Sequence, residues 1–148
     1  MKKVKPQIII LDGVDKVGKT TLKRMIDKHF NYFHLVMDRG PLSHMVYNIV
    51  YNRQNQNLHI ENITELCSKA ILIYITANPQ IVQKRIDNSH TEPEIDIKKD
   101  MQLFDTVANA TLHLWKGGIF IDTSCKSPLA TLLEIERKLE QIEEVMTV

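Results

Sequence analysis

At 148 residues and 43% hydrophobic content the chain supplies one well-filled core and is short for two, so a single domain over 1–148 is expected. Nineteen Lys and Arg against eighteen Asp and Glu leave a net charge of +1, which excludes a broad electrostatic footprint for duplex DNA or an anionic membrane and confines anion binding to a local site. Cys67 and Cys125 stand isolated, with neither metal-ligand spacing nor a disulfide framework, and the opening apolar run is too short for a signal core, so a reducing, cytoplasmic setting without a membrane span is expected.

The first element is the run from Gln7 to Leu11, continuous in apolar and β-branched residues, the pattern of a strand covered on both faces. A glycine-rich turn follows, then Leu22, Met25, Ile26 and His29 at spacings of three and four, which predicts an amphipathic helix. His34 to Met37 is a second strand, and Leu42, Met45, Val46, Ile49 and Val50 repeat the helical stripe. The amide-rich Gln54 to Asn57 reads as a loop before a helix near Ile60 to Lys69. Ala70 to Ala77 is the third strand. Asn78-Pro79 sets an N-cap and first helical residue ahead of Val82 and Ile86. The polar stretch Asn88 to Glu94 separates this helix from one carrying Ile97, Met101, Phe104 and Val107. Ile119 to Ile121 is the last strand, and Ser127-Pro128 opens a helix that buries Leu132, Ile135, Leu139 and Ile142. Strands alternating with helices predict right-handed crossovers: a three-layer α/β domain around a small parallel sheet of about four or five strands.

Gly13-Val-Asp-Lys-Val-Gly-Lys-Thr20 fits G-x-x-x-x-G-K-[ST] and lies between a predicted strand and a predicted helix, the context that gives the motif its meaning. Gly13 and Gly18 let the backbone curl so that successive amides point inward at phosphate oxygens. Val17 and Thr21 complete the cradle, Lys19 reaches the β- and γ-phosphates, and the Thr20 hydroxyl is a Mg²⁺ ligand. The donor expected here is a nucleoside triphosphate, ATP with Mg²⁺. Asp38-Arg39 follows the second strand, and ligands of open parallel sheets bind at the carboxyl ends of strands. Asp38 can hold magnesium-bound water or take the acceptor's proton; Arg39 can bind phosphate through a bidentate fork, and the pair also suits a simple ion bridge at a strand end. Tyr47 and Tyr51, four apart, suit either the border of a base or the flank of the core.

The segment Leu11-Asp-Gly-Val-Asp-Lys-Val-Gly-Lys-Thr-Thr-Leu22 resembles the P-loop of thymidylate kinases and related deoxynucleoside monophosphate kinases. The second corner resembles them too: D-R, then Ser43 and Tyr47 at the family's offsets, followed by Asn48 where the family has Gln. The resemblance implies an NMP-kinase-like P-loop fold, with Asp15 meeting the acceptor sugar, Lys16 neutralising charge in place of lid arginines, and Arg39, Ser43 and Tyr47 facing the acceptor. The stretch from Ile71 to Gln80 with Arg85 resembles the strand, turn and helix leading into the family's lid, which makes Arg85 a candidate for screening the transferring group and puts a short lid around 86–95. After Phe30 the chain goes almost directly to Asp38, so the family's R-E-P-G strand and arginine-bearing helix, which hold the acceptor phosphate, are missing.

The expected activity is phosphoryl transfer to a nucleotide, in the first place a deoxynucleoside monophosphate. The loss of the acceptor-phosphate element leaves open a hydroxyl acceptor: a deoxynucleoside, a modified base or end in nucleic acid, or a small alcohol. A non-catalytic nucleotide-binding module is the third reading; a GTPase switch is argued against, because no N-K-x-D or separate D-x-x-G is present. Nucleic acid is a partner only under the hydroxyl reading, no membrane partner is expected, and a homodimer stays open.

Overall fold

A computed structural model describes residues 5–14, 18–50, 60–88 and 97–146, with the backbone alone for 49–50, 60–63, 86–88 and 144–146. Four strands form one parallel sheet: β1 (Ile8–Asp12), β2 (Leu35–Asp38), β3 (Ala70–Thr76) and β4 (Gly117–Asp122). Their order is β2-β1-β3-β4, with Ile10 opposite Met37 on one side and Leu72 on the other. Six helices surround it: α1 (Lys19–His29), α2 (Pro41–Val50), α3 (Ile60–Lys69), α4 (Pro79–Asn88), α5 (Ile97–Thr111) and α6 (Pro128–Met146). The expected strands and helices all form, and among the described residues the sheet takes the lower of the two expected strand counts.

The layering follows from the order. The chain steps from β1 to β2, then reverses past β1 to β3 and on to β4, and right-handed crossovers place helices of opposite steps on opposite faces. Accordingly α1 packs with α6, while α2 and α4 pack with α5. The central strands β1 and β3 are covered twice, which is why Ile9, Ile10, Leu11 and the run from Ile71 to Ile73 are fully buried and read in sequence as unbroken apolar stretches. The reversal leaves a crevice beyond the carboxyl ends of β1 and β3, the place where open α/β sheets bind ligands.

Two helix starts form as the local chemistry dictates. The Asn78 side chain accepts from the Gln80 amide at 2.9 Å, and the Ser127 hydroxyl from the Ala130 amide at 3.1 Å, each ahead of a proline at the first helical position. The last strand is longer than its apolar core suggested, starting at Gly117 rather than Ile119. At Gly118 the chains run close: a Cβ would stand 2.4 Å from the tip of the Leu112 side chain, which would have to swing aside. Among the described residues, no helix is long and apolar enough to cross a membrane. The expected lid falls largely on residues outside those described.

Candidate functional site

The turn after β1 begins with Asp12 and Gly13 and re-emerges at Gly18, whose φ of 99° is a left-handed conformation that glycine alone takes without strain. Gly18 starts α1 with no side-chain cap, and the first turn of α1 has no acidic residue. A helix start of this kind carries partial positive charge, which suits an anion such as a phosphate tail. Asp15, expected to meet the acceptor sugar, Lys16, expected to neutralise charge, and Val17, expected to complete the cradle, lie outside the described residues.

Lys19 is only 6% exposed, and its ammonium donates to the Gly13 and Val14 carbonyls at 2.6 and 3.0 Å. These bonds hold the charge at the mouth of the loop. Beside it, the Thr20 hydroxyl donates to Asp38 Oδ2 at 3.0 Å, although the two are eighteen positions apart. The phosphate turn and the Asp38-Arg39 corner therefore occupy one site. The other carboxylate oxygen, Asp38 Oδ1, is buried and has no hydrogen-bond partner among the described residues. A buried acceptor without a donor is costly, and a hard cation beside Thr20 would satisfy it, so the residues present fit magnesium. No cluster of three His, Cys, Asp or Glu side chains among the described residues could hold a metal by itself. This suits an ion that takes few protein ligands and completes its shell with phosphate and water.

Arg39 has a φ of 69°, a sparsely populated conformation for a non-glycine residue, and its amide still extends the β1 ladder by donating to Leu11 O at 2.9 Å. The backbone turns sharply there, with the Arg39 side chain exposed at the rim. Gly40 then passes so close to β1 that a Cβ would stand 2.7 Å from Ile10 Cγ2.

Asp12 was not among the sequence candidates, yet it joins the two corners. It is fully buried, its Oδ1 accepts from the Gly13 amide at 3.0 Å and from the Ser43 hydroxyl, and its Oδ2 accepts from the Ser43 amide at 2.9 Å. Ser43 lies in the first turn of α2, so a carboxylate from β1 caps that helix from outside. Burial holds the Asp12 carboxyl above its usual 3.8, opposed by the Ser43 hydroxyl and amide, the Gly13 amide and Lys19. Ser43, expected to face the acceptor, is itself 5% exposed and engaged by Asp12. Tyr47 packs edge-on against Phe104 of α5, with centroids 5.8 Å apart, which places it on the flank of the core beside the cleft. Tyr74, opposite Asp12 in the sheet, donates its hydroxyl to Asp105 of α5, and its acidity is suppressed mainly by burial.

On the other side of the loop a cavity of about 370 Å³ is lined by Gly18, Thr21, Arg85 and Lys126, among others. Its volume falls in the range of small-molecule sites. Arg85 of α4 thus lines the same cavity as Gly18 and Thr21. The turn after β4 forms the remaining wall: the Ser124 amide donates to Asp122 at 2.8 Å, and Lys126 is paired with Glu134.

Solved structures share this fold. The YorR protein of Bacillus subtilis, determined in complex with phosphorylated GDP, superposes with a TM-score of 0.71 at 21% identity, covering 93% of this chain and 98% of YorR. That likeness shows a shared α/β fold over two chains of nearly equal extent. Neither a protein-family model nor a curated protein sequence matches the chain.

Proposed function

We propose that this chain is a P-loop kinase that transfers the γ-phosphoryl group of ATP, with Mg²⁺, to a nucleotide, in the first place a deoxynucleoside monophosphate. The observation that carries the reading is the 3.0 Å bond from Thr20 to Asp38, which sets the phosphate turn and the acid-guanidinium corner side by side. Phosphoryl transfer asks for little covalent help from a protein; it asks for charge and alignment. The uncapped start of α1 and Lys19 supply positive potential for the donor's phosphates, and Arg39 and Arg85 approach from the two rims. Thr20 and Asp38 would hold magnesium, which when bound neutralises charge across the β- and γ-phosphates. The cavity between Thr21, Arg85 and Lys126 takes the donor's nucleoside, and the Asp38-Arg39 corner lies on the acceptor side. The complex of YorR with phosphorylated GDP supports nucleotide binding, and it makes GTP a donor to test beside ATP.

A hydroxyl acceptor is the second reading, favoured by one observation. The sheet ends at β2, so among the described residues nothing occupies the place where monophosphate kinases carry the strand and arginine that grip an acceptor phosphate. One panel separates the readings: ATP or GTP with Mg²⁺, offered deoxynucleosides, their monophosphates and single-stranded DNA, with label followed from the γ-phosphate. Transfer to monophosphates alone supports the first reading, and transfer to hydroxyls alone replaces it with the second. Nucleotide binding without transfer would reduce the chain to a binding module.

A further inference from the structure

The acid-guanidinium corner is held against three consecutive residues of β1. The Arg39 amide donates to Leu11 O at 2.9 Å, Gly40 passes against the Ile10 side chain, and the amide and hydroxyl of Ser43 both donate to Asp12. Between the first and last of these holds lies Arg39 itself, whose φ of 69° falls in the left-handed region that any side chain disfavours. Such a conformation persists only where the surrounding structure over-determines it. The chain has little freedom to relax there: Asp38 sits in the ladder opposite Leu11, Pro41 has its φ fixed by its ring, and α2 has already begun.

Of the three holds, only the one at Ser43 is a hydrogen bond to a side chain, and it lies on the far side of Arg39 from β2. Leu42 and Val46 of α2 are fully buried, so apolar packing keeps the helix on the molecule whatever happens to Asp12. What the carboxylate fixes is the place of the helix's first turn, and so the point from which the strained turn reaches back to β2. The same carboxylate accepts from the amide of Gly13, the first residue of the phosphate turn, at 3.0 Å. Both sides of the site are thus referred to one group.

We propose that Asp12 is a positioning residue of the transfer reaction: acting through Ser43, it keeps Arg39 in the left-handed conformation that sets its side chain on the rim of the site, in register with the phosphate turn. The role rests on the phosphoryl-transfer reading given above. Asp12 is fully buried and both its oxygens are engaged within the protein, so its contribution is alignment rather than contact. Alignment is worth much in such a reaction, since a displacement of about 1 Å costs up to about 10²-fold in rate.

The test compares the full chain with Asp12→Asn and Ser43→Ala, and with Ile135→Val as a control that loosens a fully buried site on α6. In the substrate-free proteins, the backbone carbon shifts of Arg39, which report φ, and the exchange rate of its amide should be the same in wild type and control. In both site variants Arg39 should relax and its amide lose protection, while the amides between β1 and β3 keep theirs. Steady-state kinetics should show kcat lowered by up to about 10²-fold with the donor KM unchanged. In an Arg39→Ala background either substitution should have little further effect on kcat, because the group it positions is gone. Should Asp12→Asn not fold, Ser43→Ala keeps the carboxylate with its bonds to the Ser43 and Gly13 amides and carries the same comparison. Arg39 shifts and exchange that match the wild type in the site variants overturn the proposal, as does a kcat loss just as large in the Arg39→Ala background. The shifts are read without substrate, so they decide the hold on Arg39 even if the wild type transfers no phosphoryl group; that result would overturn the transfer reading, and with it the reaction this hold serves.

Discussion

Replacing Ser43 with alanine isolates the contact that joins the two halves of the cleft. The hydroxyl of Ser43 donates to a carboxylate that is fully buried, and hydrogen bonds to charged groups are worth about 1.5–3 kcal/mol. The Ser43 and Gly13 amides stay in place, so the helix keeps part of its cap, and the expected loss at neutral pH is about 2 kcal/mol, or roughly 4–8 °C in melting temperature for a chain of this length. The loss should depend on pH in a stated direction. Burial raises the folded-state pKa of Asp12 above 3.8, so the stability this group contributes is fully present below 3.8 and is lost as pH rises through the folded value. The Ser43 hydroxyl is the largest of the influences pulling that value down. Without it the folded pKa moves further up and the loss continues to higher pH. The gap between wild type and Ser43→Ala should therefore be small in acid and open as pH rises through the wild-type value. Urea unfolding at a series of pH values measures it. A gap of constant size would mean that Ser43 acts only through packing or helix capping, and no gap at all would mean that Asp12 does not hold α2.

Other outcomes follow from the same geometry. Lys19→Ala should lower phosphoryl transfer by about 10²–10³-fold or more, the cost of removing one electrostatic donor from a reacting centre; unaltered turnover would refute the placement of the phosphates. Asp38→Asn keeps an acceptor for Thr20 but removes the charge on the orphaned oxygen, so the Mg²⁺ concentration for half-maximal rate should rise about 10–100-fold, read from a magnesium titration. Gly40→Ala puts a methyl group 2.7 Å from a fully buried Ile10 and should cost about 1–3 kcal/mol in a thermal melt. His34 accepts from the Gln7 amide at 3.0 Å, and burial lowers its pKa below 6.5. Its contribution is therefore present above 6.5 and lost as pH falls through the folded value. His34→Gln should flatten that acidic limb of the stability curve.

The sequence by itself determined the elements and the loop. Unbroken β-branched runs at Ile8 to Leu11 and Ile71 to Ile75 can be buried only on both faces, and Asn78-Pro79 and Ser127-Pro128 announce helix starts with their own side chains, because these signals act over one to four residues. The glycine spacing from Gly13 to Gly18 is just as local, so a glycine-rich turn between strand and helix was legible before any fold. Tertiary structure decided what meets what. Asp12 gave no signal because its role lies in Ser43, thirty-one positions away, and only the adjacency of β1 and β2 brings the start of α2 over the end of β1. That same contact turns Ser43 inward, where its place in a family pattern had suggested the acceptor. The exposure of Leu35 and Met37 was equally hidden: an apolar strand residue reads the same in the centre of a sheet or at its edge. Strand order, which rests on pairings between distant segments and the hand of their crossovers, is what separates the two.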